Sequence, residues 1–200
     1  SLAISERRFN LIITTIRAAD MDATELAREV KRAGLDIPVV AMAYDNDERK
    51  DFEAHHDVSE LDGLFLWQGN ARIMVAIVKY VEDLRNVEHD TAMMGVRVVL
   101  VVEDNVRYYS SFLPEIYTEI IRQSQSLLSE GINPAHKLVR TRARPKLLLA
   151  TNFEEAWRLF RAYQPYLLGL ISDVGFPRDK VRSRAAGFAL ARKPRQRIPN

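Results

Sequence analysis

The chain reads as an α/β protein built on a doubly wound parallel sheet. Three observations predict this class. Short runs rich in Val, Ile and Leu recur along the sequence, stretches with apolar residues at three- and four-residue spacing separate them, and the runs are continuously apolar, as strands covered on both faces are. With 47% hydrophobic residues in a chain of 200, there is enough apolar side chain to bury a core.

Residues 9–16 (Phe-Asn-Leu-Ile-Ile-Thr-Thr-Ile) form the first predicted strand. A helix follows, capped by Asp22 with Glu25 three residues on, carrying Leu26 and Val30 on its apolar side and ended by Gly34. Residues 37–42 give a second strand, entered through Pro38, where a missing N–H is tolerated. A charged stretch, 45–53, comes next. Residues 64–67 (Leu-Phe-Leu-Trp) make a third strand, and Ile73, Ile77, Tyr80, Val81 and Leu84 mark a helix. The first unit, 1–86, is therefore expected as β-α-β-α-β-α.

Residues 87–95 hold polar side chains, two methionines and a glycine, and read as a linker to a second unit at 96–200. That unit opens with a strand at 98–102. A long helix is expected over 107–130, with Phe112, Ile116, Ile120, Leu127 and Leu128 on its apolar side and Gly131 at its end. Asn133-Pro134 opens a short helix to about 142. A strand at 146–150, a helix at 153–163 capped near Thr151 or Asn152, and a strand at 167–172 follow. The last helix, 185–193, is expected to be interrupted at Pro194, whose ring clashes with the preceding turn. The excursion 107–142 is a long helical insertion after the unit's first strand, and reads as a docking or dimerisation element.

Acidic and basic residues nearly balance at a formal +2, so net charge names no partner. Absence of cysteine excludes disulfides, thiolate metal sites and cysteine nucleophiles, and suits a cytoplasmic location. No apolar stretch approaches the ~20 residues that cross a bilayer, and no membrane association is expected. His55 and His56 lie beside Asp51 and Asp57 without a second spaced ligand pair, so solvated surface is expected there; His89 and His136 are single histidines. Two basic runs, Lys137, Arg140, Arg142, Arg144, Lys146 and Arg192, Lys193, Arg195, Arg197, lack interleaved aromatics. They read as solvated faces or contacts to acidic surface rather than a nucleic-acid site. Tyr108, Tyr109, Phe112 and Tyr117 open the long helix and are expected to pack.

The candidate chemistry lies at two strand ends. One apolar run ends in Glu103 and Asp104; another ends in Asp173, with Pro177 four residues later. If the two strands are parallel neighbours, the three acids meet in one crevice at their C-terminal ends. Hard oxygen donors of this kind suit Mg²⁺, which also relieves the repulsion among crowded carboxylates.

These residues resemble the receiver domains of two-component response regulators, in which an acidic pair ends the first strand and a phosphoacceptor aspartate ends the third, followed by a proline at the fourth place. The resemblance implies a flavodoxin-like sheet of order 2-1-3-4-5, metal ligands Glu103, Asp104 and Asp173, and phosphorylation of Asp173 by a histidine kinase or phosphotransfer protein. The first unit resembles a receiver from its third strand onward, with its chemistry gone. Thr15 stands where the phosphoacceptor is expected, Ala43 where a hydroxyl residue ends the fourth strand, and Gln68 where a lysine ends the fifth. It is similar to a pseudo-receiver.

More narrowly, residues 77–83, 86–91, 101–114, 136–138 and 142–146 resemble the amino-terminal regulatory region of bacterial proteins related to phosphoenolpyruvate synthase and pyruvate phosphate dikinase. This implies a phosphotransferase region downstream in the parent polypeptide, while the chain itself is expected to be regulatory and not an enzyme. The two half-receivers are expected either to complete one another as a permuted composite sheet or to exchange between chains in a homodimer. A structural alternative, a scaffold or dimerisation module that never carries phosphate, is carried alongside.

Overall fold

The computed structural model describes residues 9–18, 21–129 and 144–195. The elements in chain order are β1 (Ile12–Thr15), β2 (Arg17–Ala18), β3 (Met21–Asp22), α1 (Ala23–Arg32), β4 (Val39–Ala43), α2 (Asn46–His55), β5 (Gly63–Leu66) and α3 (Arg72–Met94). They continue with β6 (Val98–Val102), α4 (Val106–Ser129), β7 (Lys146–Ala150), α5 (Phe153–Tyr163), β8 (Leu167–Ser172), β9 (Phe176–Arg178), β10 (Val181–Ser183) and α6 (Ala186–Arg195). The class is α/β with parallel sheets, as the sequence predicts. The chain divides into two compact units, Ser1–Val81 with Ser110–Pro114 and Glu82–Tyr109 with Glu115–Asn200.

In the first unit, β1, β4 and β5 form a parallel sheet of order β1-β4-β5. The central strand β4 is buried along all five residues, which is why its sequence, Val-Val-Ala-Met-Ala, has no polar alternation. Helix α1 starts with the expected capping box: Asp22 accepts from the backbone N–H of Thr24 and Glu25, and Glu25 reaches back to the Asp22 N–H. Its inner face, Ala27 and Val30, packs on Val39 with Ile12, Leu26, Leu35, Ile37 and Leu61 around it. The charged stretch at 45–53 falls within α2 and its cap. Asp45 caps this helix through the N–H groups of Asp47 and Glu48, but Phe52 is its one buried side chain, so the apolar stripe is too narrow to announce a helix.

In the second unit, β6 lies between β7 and β8 in a parallel sheet of order β7-β6-β8. The core joins Val98, Leu100 and Val102 of β6 to Leu148 and Ala150 of β7, Phe153, Ala156, Leu159 and Phe160 of α5, Phe176, and Ala186 and Leu190 of α6. Asn152 caps α5 by accepting from the Glu155 N–H.

Several expectations are corrected. The described strands form two separate three-stranded sheets rather than one composite sheet. Residues 87–94, read as part of a linker, continue α3 to Met94, because Val87 and Thr91 are buried one turn apart and no breaker precedes Gly95, whose φ of +63° is a left-handed stop. On the same helix Leu84 is exposed and Asp83 takes the buried position. The buried stripe of α4 begins Val106, Tyr109, Leu113, Tyr117, offset from the predicted one. Helix α6 runs through Pro194 to Arg195 instead of stopping there. The helix expected over 133–142, with His136, Lys137, Arg140 and Arg142, lies outside the described residues, as does Arg197.

Candidate functional site

The second sheet brings the three predicted acids together. The Glu103 N–H still donates to the Ala150 carbonyl and the Asp173 N–H to the Val102 carbonyl, so the ladders on both sides of β6 extend one bond past the strands and pin both backbones. One carboxylate oxygen from each of Glu103, Asp104 and Asp173 lies within 4.8 Å of the others. Their order in the sheet makes this possible: β6 and β8 are parallel neighbours, and their C-terminal ends open on the same side.

The three groups differ in surroundings. Glu103 is buried, and its Oε1 accepts from the Asn105 N–H at 2.9 Å. Asp173 is half-buried, and its Oδ1 accepts from the Val174 N–H at 2.7 Å. Asp104 Oδ2 pairs with Arg182 Nη1 at 2.8 Å, while its Oδ1 is buried with no hydrogen-bond partner. Burial raises the Glu103 carboxyl above its ordinary range, and the charges of Asp173 and Asp104 push the same way against the Asn105 N–H and Arg182. Burial also raises Asp104, with Asp173 adding to it and Arg182 opposing. Negative charge is therefore incompletely compensated at these strand ends.

Sequence reasoning missed what flanks the acids. Between Asp173 and α6 the chain folds into an antiparallel hairpin, β9 with β10, which carries Arg182 back to Asp104. Its two-residue loop, Asp179 and Lys180, has φ of 52° and 64°, the left-handed backbone of a tight hairpin turn. The sequence lacks the Asn-Gly or Asp-Gly pair that signals such a loop, so neither hairpin nor arginine was legible. On the other flank the Gly187 N–H donates to the Val174 carbonyl at 3.1 Å, and a Cβ at Gly187 would overlap the Asp173 carbonyl oxygen.

The other flagged residues lie elsewhere. His55 is exposed beside Asp51. His56 is not simple surface: it stacks on Phe52 with ring centroids 4.3 Å apart and faces Asp22 Oδ2 at 3.3 Å. His89 lies 3.2 Å from Asp90. Tyr109 and Tyr117 are buried as expected, whereas Tyr108 is exposed.

Arg144 and Lys146, read as part of a solvated face or of a contact to acidic surface, are both buried and pair with acidic side chains. Fully buried Asp83 takes hydrogen bonds on Oδ2 from Tyr117 Oη at 3.2 Å, Arg144 Nη1 at 3.0 Å and the Leu147 N–H at 3.0 Å. Its Oδ1 faces Arg144 Nη2 at 2.7 Å and Lys146 Nζ at 3.5 Å. Lys146 also pairs with Asp90 at 2.6 Å. Burial opposes the Arg144 charge, but Asp83 and Glu82 outweigh it and raise the guanidinium above its ordinary value.

No helix among the described residues is long and apolar enough to cross a membrane. No protein-family model matches the chain, and neither a curated protein nor a solved structure matches it.

Proposed function

We propose that the chain is a cytoplasmic signal-transduction module of receiver type, in which Asp173 accepts a phosphoryl group beside a Mg²⁺ site formed by Glu103, Asp104 and Asp173. The observation that carries this reading is the convergence of the three carboxylates at the tips of β6 and β8. The strand orders support it as well. β7-β6-β8 corresponds to a receiver's 2-1-3, and β1-β4-β5 to its 3-4-5.

The residues fit a hard divalent cation. All donors are carboxylate oxygens, Asp104 Oδ1 is buried without a partner, and the raised Glu103 and Asp104 carboxyls indicate charge that a cation would relieve. When bound, the ion would neutralise charge on the phosphoryl oxygens. Asp173 acts as the nucleophile: a carboxylate oxygen forms the new O–P bond as the P–N bond of a phosphohistidine donor breaks, and the leaving imidazole keeps the electron pair and takes a proton from solvent.

The first unit is then a pseudo-receiver. β1 ends in Thr15, whose Oγ1 donates to the Arg17 carbonyl, β4 ends in Ala43, and Gln68 follows β5. The output is control of a phosphoenolpyruvate- or pyruvate-type phosphotransferase region in the parent polypeptide. A scaffold without phosphate transfer is favoured by one observation, that Arg182 already neutralises part of the cluster.

Incubation with acetyl phosphate and Mg²⁺ separates the two readings. The expected result is a single Mg²⁺-dependent phosphoryl addition in the intact mass that Asp173→Asn abolishes. No addition, or the same addition in the variant, would overturn the phosphoacceptor assignment.

A further inference from the structure

We propose that Arg182 is a built-in counter-cation of the acidic cluster, holding Asp104 until a divalent cation takes that carboxylate, so that the β9–β10 hairpin registers whether the site is filled. This rests on the cluster being the metal site proposed above. Arg182 Nη1 lies 2.8 Å from Asp104 Oδ2. The pair is lopsided: the Asp104 side chain is 14% exposed, that of Arg182 63%. A guanidinium mostly in water is held weakly, and little stabilisation is lost when it leaves. A divalent ion brings twice the charge and meets three carboxylates together, so it wins the competition for Asp104.

Release of Arg182 has a mechanical consequence because of where the arginine sits. In the hairpin ladder Arg182 lies opposite Pro177, and Ser183 opposite Phe176, whose ring is fully buried in the core. The loop end is tied to α5, through the Asp179 N–H to Glu154 Oε1 at 3.0 Å and the Arg178 guanidinium 4.7 Å over the Phe153 ring. Loss of the Asp104 contact therefore frees the strand β10 while both the loop and the Phe176 anchor stay fixed. Filling of the site is read as loosening of Val181–Ser183, next to the chain that enters α6.

The test titrates Mn²⁺ into the whole chain by calorimetry and follows amide exchange across 176–183. Arg182→Gln should bind about three- to tenfold more tightly than the wild type, and Arg182→Lys should bind much as the wild type does. Saturating the wild type should speed exchange in β10. Equal or weaker binding by Arg182→Gln, or unchanged exchange in the saturated wild type, overturns the counter-cation role while the metal site stands. No uptake of Mn²⁺ by either protein, or wild-type uptake by Asp173→Asn, overturns the metal site itself, and the proposal with it.

Discussion

Two groups of carboxylates in the second unit are treated in opposite ways. Asp83 is wholly buried, yet two cations, a tyrosine hydroxyl and a backbone N–H surround it. Glu103, Asp104 and Asp173 lie nearer to water, yet the three negative groups crowd together beside Arg182. Asp104 Oδ1 and Asp83 Oδ1 are both buried without a hydrogen bond, but Asp83 Oδ1 faces two cations, Arg144 and Lys146. Burial alone does not explain the difference, since the more buried group is the better compensated. The first arrangement stabilises the unit as it stands. The second leaves charge over, which raises the Glu103 and Asp104 carboxyls.

The comparison breaks most sharply at Asp83. Asp83→Ala would leave Arg144 and Lys146 buried with fewer counter-charges, Tyr117 Oη and the Leu147 N–H without their acceptor, and a cavity beside β7. The expected loss is about 3–5 kcal/mol, measured as a lower midpoint in urea unfolding. A double variant, Asp83→Leu with Arg144→Met, should recover much of that loss, because it removes charge and counter-charge together. A loss below about 1 kcal/mol in the single variant would show that the network is not what holds α3 to β7.

The cluster was legible in the sequence because strand-end acids need only an apolar run to locate them. Val98–Val102 and Leu167–Ser172 are such runs, and neighbouring parallel strands did the rest. Asp83 was readable in principle, four residues before Val87 and eight before Thr91 on one helix face, but an acid at that place breaks the apolar pattern that periodicity seeks. Its partners were beyond reach: Arg144 and Lys146 come from a segment whose charge density looks like a solvated surface. Arg182 was hidden for a different reason, a hairpin turn with no glycine, in which Lys180 adopts a left-handed backbone that lysine seldom takes. The separate sheets were also unreadable, since a strand sequence shows that an edge wants a partner and not which strand supplies it.

A second, smaller effect separates how the two groups are held. Asp83 is fixed by side-chain partners, whereas Asp173 is fixed by backbone: its N–H on Val102 and the close approach of α6 at Gly187. Gly187→Ala places a methyl against the Asp173 carbonyl oxygen and 3.1 Å from Val174 Cα, both backbone and unable to swing aside. The expected cost is about 1–3 kcal/mol, with weaker divalent-cation binding although no acid is altered. Unchanged stability and unchanged binding would mean that α6 does not set the position of Asp173.

The smallest effect is a matter of sign. The Glu103 and Asp104 carboxyls are raised in the folded chain, so between about pH 4 and their raised values the folded state holds more protons than the unfolded one. Stability contributed by these two acids therefore falls as pH rises through that window and stays low above it. Asp90 behaves the other way. Burial opposes its ionisation, but the Lys146 ammonium and His89 outweigh burial and hold it below its ordinary value. Its contribution is present above about pH 4 and is lost on acidification through the lowered value. Glu103→Gln keeps an acceptor for the Asn105 N–H while removing the charge, and should be more stable than the wild type by about 0.5–2 kcal/mol near neutral pH, with the gain vanishing toward pH 4. Asp90→Asn should lose stability near neutral pH and converge with the wild type in acid. Urea midpoints across the pH range check both curves; a Glu103→Gln gain that persists undiminished into acid would mean that uncompensated charge is not what distinguishes the strand-end acids from Asp83.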